Sequence, residues 1–279
     1  MGAGWTVLVA AMLFIGSTDV ARAPETRVYR HTGHGALEAH VFDPAPHART
    51  DAAILLFHGG GYFTGSPAAT FDTARAFAEA GFTSVAVEYR LSNDRITPLE
   101  ALADACAALD WVRSDPRFAG LDRSKVILYG VSAGAHLAVN SITHGCRPDR
   151  PPPAALLLFS PGLDVLGHAP RFAAQLRGRA DPRAHAPLET MAAALPPIAI
   201  VHGAADAIDP IETSQRLCRL QRQFGGVCRL DAVPGRGHLL SRSLDRQVPG
   251  PGFVPDREAA RRADAFFIRF LREQVLAPQ

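Results

Sequence analysis

Six short apolar runs set the limits on what this chain can fold into. Ala53–Phe57, Thr83–Glu88, Lys125–Tyr129, Ala154–Phe159, Ile198–His202 and Val227–Ala232 are rich in branched residues, and a helical pattern follows each. Most are continuously apolar rather than alternating, as strands are when helices cover both faces of a parallel sheet. Val28–His31 and Leu37–Phe42, joined through Gly33 and Gly35, precede them and read as an antiparallel hairpin that opens the sheet. The expectation is an α/β domain with a mostly parallel eight-stranded sheet and helices on both faces. A chain of 279 residues that is 47% hydrophobic has the material for one such core. The same figures exclude a disordered tail protein, a collagen-like repeat and a small disulfide-held scaffold.

Start signals place several helices. Thr97-Pro98-Leu99-Glu100 is a capping box with proline at the first helical position, ahead of a helix to about Arg113. Asp209-Pro210-Ile211-Glu212 repeats the device, with Asp209 as cap of a helix to Phe224, and Asp256–Glu273 is amphipathic. The segment 161–197 breaks the alternation with Pro, Ala and Arg and reads as a short lid between two strands. Near the start, Trp5–Ile15 is an apolar run too short to span a bilayer, and Ala21-Arg22-Ala23 follows as an A-x-A pattern. Residues 1–23 are therefore expected to be a signal peptide and 24–279 a single exported domain, periplasmic or secreted, with no stable membrane association. No basic residue precedes the run and Pro24 would follow the cut, so the alternatives are a misassigned start, with a cytoplasmic protein, or an uncleaved anchor.

Charge and cysteine add exclusions. The formal net charge is +2 and the arginines form no stripe, so nucleic acid is not an expected partner. Cys218 and Cys228 flank a Gly225-Gly226 break between a helix and a strand, roughly level with one another, where a disulfide is geometrically feasible. Cys106 shares a helical face with Leu99, Leu102 and Leu109 and reads as a buried free thiol, while Cys146 carries no signal.

The chemistry collects at strand ends. Gly130-Val131-Ser132-Ala133-Gly134 follows one predicted strand and opens a helix, the setting that a G-x-S-x-G nucleophile elbow requires. Its glycines leave room for a sharp turn, and the helix N-terminus beside Ser132 favours a developing negative charge. His58-Gly59-Gly60-Gly61-Tyr62 follows another strand. The amides of Gly60 and Gly61, with that of Ala133, would form an oxyanion hole, in which each donor is worth ~3 kcal/mol to the transition state. His58 reads as a brace for this loop rather than a base. Tyr62 and Phe63 line the substrate pocket or belong to the core, and the sequence does not separate the two readings.

A serine hydroxyl needs a base, and the base a carboxylate, in the chain order Ser, acid, His for this class of sheet. His238, in the glycine-rich loop after the last strand, is the expected base. His144, His168 and His185 fall in loops or the lid, and His202 at a strand end reads as structural. For the acid, Asp206 and Asp209 compete; the capping role assigned to Asp209 leaves Asp206, with Asp164 a more distant candidate. The histidines lack metal-ligand spacing, so neither metal nor cofactor is expected.

With these pieces in order, the chain after residue 27 resembles the α/β-hydrolase superfamily, near the carboxylesterases related to hormone-sensitive lipase. His58–Tyr62, Glu88-Tyr89-Arg90-Leu91, Asp104 and Trp111-Val112 on the helix from Thr97, Gly130–Gly134, His202–Asp206 and Gly237-His238 carry the likeness. Val131 stands where those enzymes usually have Asp, and little chain is left for an N-terminal helical cap, so the compact dienelactone-hydrolase, acetylxylan-esterase and formamidase type is the better match. The resemblance implies the α/β-hydrolase fold and a serine carboxylesterase cleaving small short-chain esters through an acyl-enzyme on Ser132. Oligomeric state is not readable. The alternatives are an amide hydrolase, a formamidase or small peptidase, on the same scaffold, and a ligand-binding protein without catalysis.

Overall fold

The computed structural model describes residues 23–144, 146, 150–167 and 170–277; the apolar run 5–15 and His168 lie outside them. The eight strands are β1 (Glu25–Thr32), β2 (Gly35–Phe42), β3 (Ala53–Phe57), β4 (Thr83–Val87), β5 (Val126–Val131), β6 (Ala155–Phe159), β7 (Ile198–Gly203) and β8 (Cys228–Val233). They form one sheet in the order β1-β2-β4-β3-β5-β6-β7-β8. β1 and β2 pair antiparallel, β2 meets β4 antiparallel, and every later pairing is parallel. The helices are α1 (Phe71–Glu79), α2 (Pro98–Ser114), α3 (Ala133–Thr143), α4 (Pro170–Leu176), α5 (Pro187–Thr190), α6 (Ile211–Gln223) and α7 (Arg257–Leu271).

The unbroken apolar runs follow from burial on two sides. Leu55, Val85, Leu128, Leu156 and Ile198 point to one core, shared with α2, α3, α6 and the 161–197 segment. Their neighbours Ile54, Ala86, Ile127, Leu157 and Ala199 point to a second core, closed by α1 and α7. Alternation is present in direction but not in polarity, because neither face meets water. The 161–197 segment contributes α4, α5 and a 3-10 turn at Pro182–His185, and buries Phe172, Leu176 and Leu188 against the first core.

Polar contacts fix the first helix of that core. Glu100 accepts the N–H of Thr97 at 2.8 Å, and Thr97 Oγ1 accepts from Leu99, as the capping box predicts. One turn later the fully buried Asp104 accepts two bonds from the Arg90 guanidinium, at 2.8 Å each, and one from Arg30 at 2.7 Å. A buried carboxylate is tolerated only with such multiple charged donors.

The cysteines correct one expectation. Cys106 is not a free thiol: it is bridged to Cys146, just past α3, with Cα atoms 5.1 Å apart. Forty residues separate the two, and nothing local to either announces the pairing. Cys218 and Cys228 are also bridged, across 5.2 Å between Cα atoms, in the helix-to-strand arrangement the spacing allows.

Candidate active site

Strand β5 ends at Val131 and α3 begins at Ala133, so Ser132 alone makes the turn between them. Its φ of 51° and ψ of −117° form a conformation that costs a non-glycine residue on the order of 1–3 kcal/mol. Two glycines let the chain pass. A Cβ on Gly130 would meet the Gly134 carbonyl oxygen at 2.3 Å, and one on Gly134 would meet the carbonyl oxygens of Phe57 and His58 at 2.3 and 2.4 Å. Helix α3 therefore starts hard against the end of β3, and Ser132 is held above the sheet with its N–H donating to Phe159 at 3.0 Å.

The loop after β8 brings the imidazole of His238 to this serine. Nε2 stands 3.0 Å from Ser132 Oγ, and Nδ1 stands 2.8 Å from Asp206 Oδ2. A carboxylate only accepts, so Nδ1 carries the proton and Nε2 accepts from the serine hydroxyl. Leu239 and Leu240, directly after the imidazole, both have positive φ, at 54° and 55°. Such backbone persists in bulky residues only where the surroundings over-determine it.

Asp206 sits in the loop after β7. Its Oδ1 accepts the amides of Ile208 and Asp209, both at 2.9 Å, while Oδ2 lies 3.1 Å from His202 Nε2 as well as against His238. Burial alone raises the Asp206 carboxyl; hydrogen bonds from His202 and His238 overcome this and hold it well below the usual carboxylate range. His202 Nε2 also lies 2.8 Å from the Asp209 carbonyl oxygen and its Nδ1 2.7 Å from Ser214 Oγ. Both partners of Nε2 are acceptors, so Nε2 is the protonated nitrogen and Ser214 donates to Nδ1. His202 is thus structural, as its strand-end position predicts, and what it supports is the acid.

Asp209 departs from expectation. Helix α6 begins at Ile211 with Pro210 in the capping position and no side-chain cap bond. The Asp209 carboxylate lies instead beside Gly162, 3.1 to 3.2 Å from where a Cβ there would sit, with Oδ2 3.8 Å from His238 Nδ1. Capping therefore does not separate the two aspartates; distance does, 2.8 Å against 3.8 Å. Asp164 accepts the amides of Leu166 and Gly167 within its own turn.

The glycine loop lies on the other side of the serine. Gly60 and Gly61 take φ of 121° and 60°, and a Cβ on Gly60 would strike the Thr64 carbonyl oxygen at 2.0 Å. A Cβ on Gly59 would come within 3.2 Å of Ser132 Cβ, so the loop packs against the nucleophile's own backbone. Among the described residues, the amides of Gly60, Gly61 and Ala133 donate to no backbone carbonyl. His58 is 1% exposed, has Nδ1 2.7 Å from the Gly59 oxygen and stacks on Tyr89 at 4.3 Å. The Tyr89 hydroxyl donates to the His58 oxygen at 2.7 Å. Burial depresses the His58 pKa, and the residue is placed as a brace.

Of the two aromatics next to this loop, Tyr62 goes to the core. It is 4% exposed and packs among Tyr89, His136 and Phe172. His136 Nε2 donates to the His185 carbonyl oxygen at 2.7 Å, so its Nδ1 accepts the Tyr62 hydroxyl, also at 2.7 Å. Burial lowers the His136 pKa to about 4 and keeps the ring neutral. Phe63 is 46% exposed and lies under the Arg171 guanidinium, 4.9 Å from ring centroid, at a surface cavity of about 230 Å³. Gln175, also in its wall, donates to the Gly61 oxygen at 2.9 Å. Gln247, which reaches the His238 and Ala207 amides from a distant loop, escapes sequence reading because it sits in no motif. Among the described residues, no cluster of three or more His, Cys, Asp or Glu could hold a metal.

Such an arrangement can transfer the serine proton to His238 while Ser132 Oγ attacks a carbonyl whose oxygen meets the three amides. Comparison with known proteins finds hydrolases and esterases among those this chain is similar to. A family model described as alpha/beta hydrolase fold matches residues 54–175. Esterase 2 of Thermogutta terrifontis, in a propionate-bound structure, superposes with a TM-score of 0.76 at 28% identity, over 93% of this chain and 98% of that one. Lipase 2 of Moraxella sp. (strain TA144) is 37% identical over 93 residues, 32% of this chain and 20% of that protein. Esterase LipI of Mycobacterium tuberculosis is 34% identical over 109 residues, 39% of this chain and 34% of that protein. The chain thus spans from a fifth to about a third of the length of these two curated relatives.

Proposed function

We propose that this chain, which has the α/β-hydrolase fold, is a serine carboxylesterase acting on short-chain acyl esters through an acyl-enzyme on Ser132. One observation carries the reading: a strained serine at a strand–helix turn, 3.0 Å from an imidazole that is itself 2.8 Å from a buried carboxylate. His238 Nε2 takes the proton of Ser132 as Oγ attacks the ester carbonyl. The amides of Gly60, Gly61 and Ala133 receive the oxyanion, each worth ~3 kcal/mol of transition-state stabilisation. His238 returns the proton to the departing alcohol, then activates water to release the acid from Ser132. Asp206 holds the ring in the tautomer this requires and stabilises the imidazolium.

Short acyl groups are favoured because the structural neighbour is described with propionate and with butyrate bound. The segment 161–197 acts as a lid beside the glycine loop, to which Gln175 ties it. Residues 24–279 are one catalytic domain. The two disulfides support export to an oxidising compartment, since such bridges are rare in the cytosol.

Turnover of p-nitrophenyl acetate, butyrate and octanoate, alongside the matching anilides, tests the proposal. Acetate and butyrate are expected to exceed octanoate by at least ~10-fold, and the anilides by far more, since an amide leaving group must be protonated to depart. Paraoxon, which phosphorylates the neighbouring esterase, is expected to label one serine, and Ser132→Ala to abolish labelling and turnover together. Faster octanoate or anilide cleavage would overturn the substrate assignment; a Ser132→Ala protein with undiminished turnover would overturn the mechanism.

A further inference from the structure

The loop from Arg242 to Pro255 is exposed or half-exposed at every position except one: Gln247, which is 6% exposed. Its neck is pinched shut by the bridge Ser241–Pro255 and by the Arg242 amide donating to Val254 at 2.7 Å, so the loop is a closed excursion from the sheet. All that it buries is one amide side chain. That side chain makes four hydrogen bonds. Gln247 Oε1 accepts the N–H of His238 and the N–H of Ala207, both at 2.9 Å, and Nε2 donates to the oxygens of Leu244 at 2.8 Å and Ala205 at 3.2 Å. One carbonyl oxygen therefore holds the backbone of the base and the backbone next to the acid at the same time. A Cβ on Gly237 would lie 2.4 Å from the Gln247 side-chain carbon, so the glycine before His238 exists to let the amide in.

We propose that Gln247 is a positioning residue that sets the distance between Asp206 and His238, and that the 242–255 loop serves to deliver it. The base loop needs such a clamp. His238 is followed by two leucines at positive φ. Other bonds hold the chain on either side of the imidazole: the Arg236 oxygen accepts the Ala205 amide of the acid loop at 2.8 Å, the Gly237 and Ser241 backbone bonds are 3.0 Å, the Leu240 oxygen accepts the Asp256 amide at 3.2 Å, and the Leu239 amide donates to Ser160 Oγ at 3.1 Å. Among the described residues, the His238 amide itself is tied to the acid loop only through Gln247. Proton transfer from Ser132 is steep in geometry, because a hydroxyl–imidazole bond lengthened by an ångström no longer conducts a proton in the transition state.

The proposal rests on the esterase reading, and its test is built to separate the two. Gln247→Met keeps the length and volume of the side chain and removes all four bonds. It is expected to lower kcat on p-nitrophenyl acetate at least ~10-fold with KM within about twofold. Gln247→Glu keeps the doubly accepting oxygen, and its second oxygen faces the Leu244 and Ala205 oxygens, to one of which it donates when protonated. It is expected to recover kcat to within about threefold at pH values where that carboxyl is protonated and to lose it again as the carboxyl ionises against the two carbonyl oxygens. The signal of the proton on His238 Nδ1, followed by NMR in the folded proteins, is expected to move in Gln247→Met and to keep its wild-type position in protonated Gln247→Glu. That readout needs no substrate, so it tests the clamp even if the wild-type protein hydrolyses no ester. A Met variant with wild-type kcat, a Glu variant with no recovery of kcat at any pH, or a His238 Nδ1 proton signal unmoved in Gln247→Met each overturns the proposal.

Discussion

At the scale of single residues the site is a contest between two carboxylates for one imidazole. Asp206 receives four donors: the amides of Ile208 and Asp209 on Oδ1, and His202 and His238 on Oδ2. An asparagine there would keep its carbonyl under the two amides and turn its NH2 toward both histidines. His238 would then be driven to the tautomer with the proton on Nε2, which cannot accept from Ser132. Asp206→Asn is expected to fold and to lose kcat by ~10⁴-fold, whereas Asp209→Asn, which removes a charge 3.8 Å from the ring, loses less than ~10-fold. Rates for both variants on one ester decide it, and the opposite ranking would hand the acid's role to Asp209. The capping role that favours Asp206 in the sequence is absent from the structure, since Asp209 caps no helix, and only the fold separates the two carboxylates. Ser132 and His238 were legible on firmer ground, because glycines at fixed offsets mark places where the chain cannot carry a Cβ. Gln247 was not legible at all: a lone amide acts through tertiary contacts that leave no spacing behind.

At the scale of elements, strands declare themselves more plainly than helices. Every strand falls within a few residues of its apolar run, most sharply in β3 to β7, where a strand covered on both faces has no polar position to blur it. Helix α2 carries its capping box and α7 its Asp256 cap, which accepts from Ala259 at 3.0 Å. Helix α1 has no side-chain cap and is held by packing. Its partner α7 brings a polar group to that contact, and the result is a pH dependence that no local pattern foretells. Asp264 faces α1, where burial raises its carboxyl to about 6, a hydrogen bond with Thr73 opposes the rise, and the charge of Asp72 adds to it. Because the folded chain holds this proton more tightly than the unfolded chain, the folded state binds the extra proton between the ordinary carboxylate range and about pH 6. Stability from this group is therefore lost as pH rises through that window, and the penalty is complete above it. Asp264→Asn is expected to stabilise the protein by on the order of 2 kcal/mol at pH 8 and by nearly nothing at pH 4. Equal gains at both pH values in denaturant melts would show that the carboxyl is not perturbed.

At the scale of the whole molecule, the two halves of the site are carried by separate parts of the chain, and each is stapled by its own disulfide. Ser132 opens α3, whose far end is tied to α2 through Cys106 and Cys146; the loop bearing His238 leaves β8, whose first residue is tied to α6 through Cys218 and Cys228. The shorter bridge was foreseeable because its cysteines face each other across one turn of chain. The longer one depends on how α2 packs on α3, which no pair of positions in the sequence records. Neither bridge touches Ser132, Asp206 or His238, so their contribution is to stability rather than to chemistry. In the chain-entropy account, closing the longer loop is worth about 4 kcal/mol and the shorter about 3 kcal/mol. Removing Cys106–Cys146 by paired alanine substitution is expected to lower the melting temperature by on the order of 10 °C, and removing Cys218–Cys228 by somewhat less. Both variants should keep kcat on p-nitrophenyl acetate within about twofold at 25 °C, because the residues that meet over the ester are held by the sheet and by short-range hydrogen bonds. Thiol titration of the denatured wild-type protein should find no free thiols before reduction and all four cysteines after it. Free thiols before reduction would remove the support for export, and a collapse of kcat without loss of melting temperature would mean that a bridge sets the site after all.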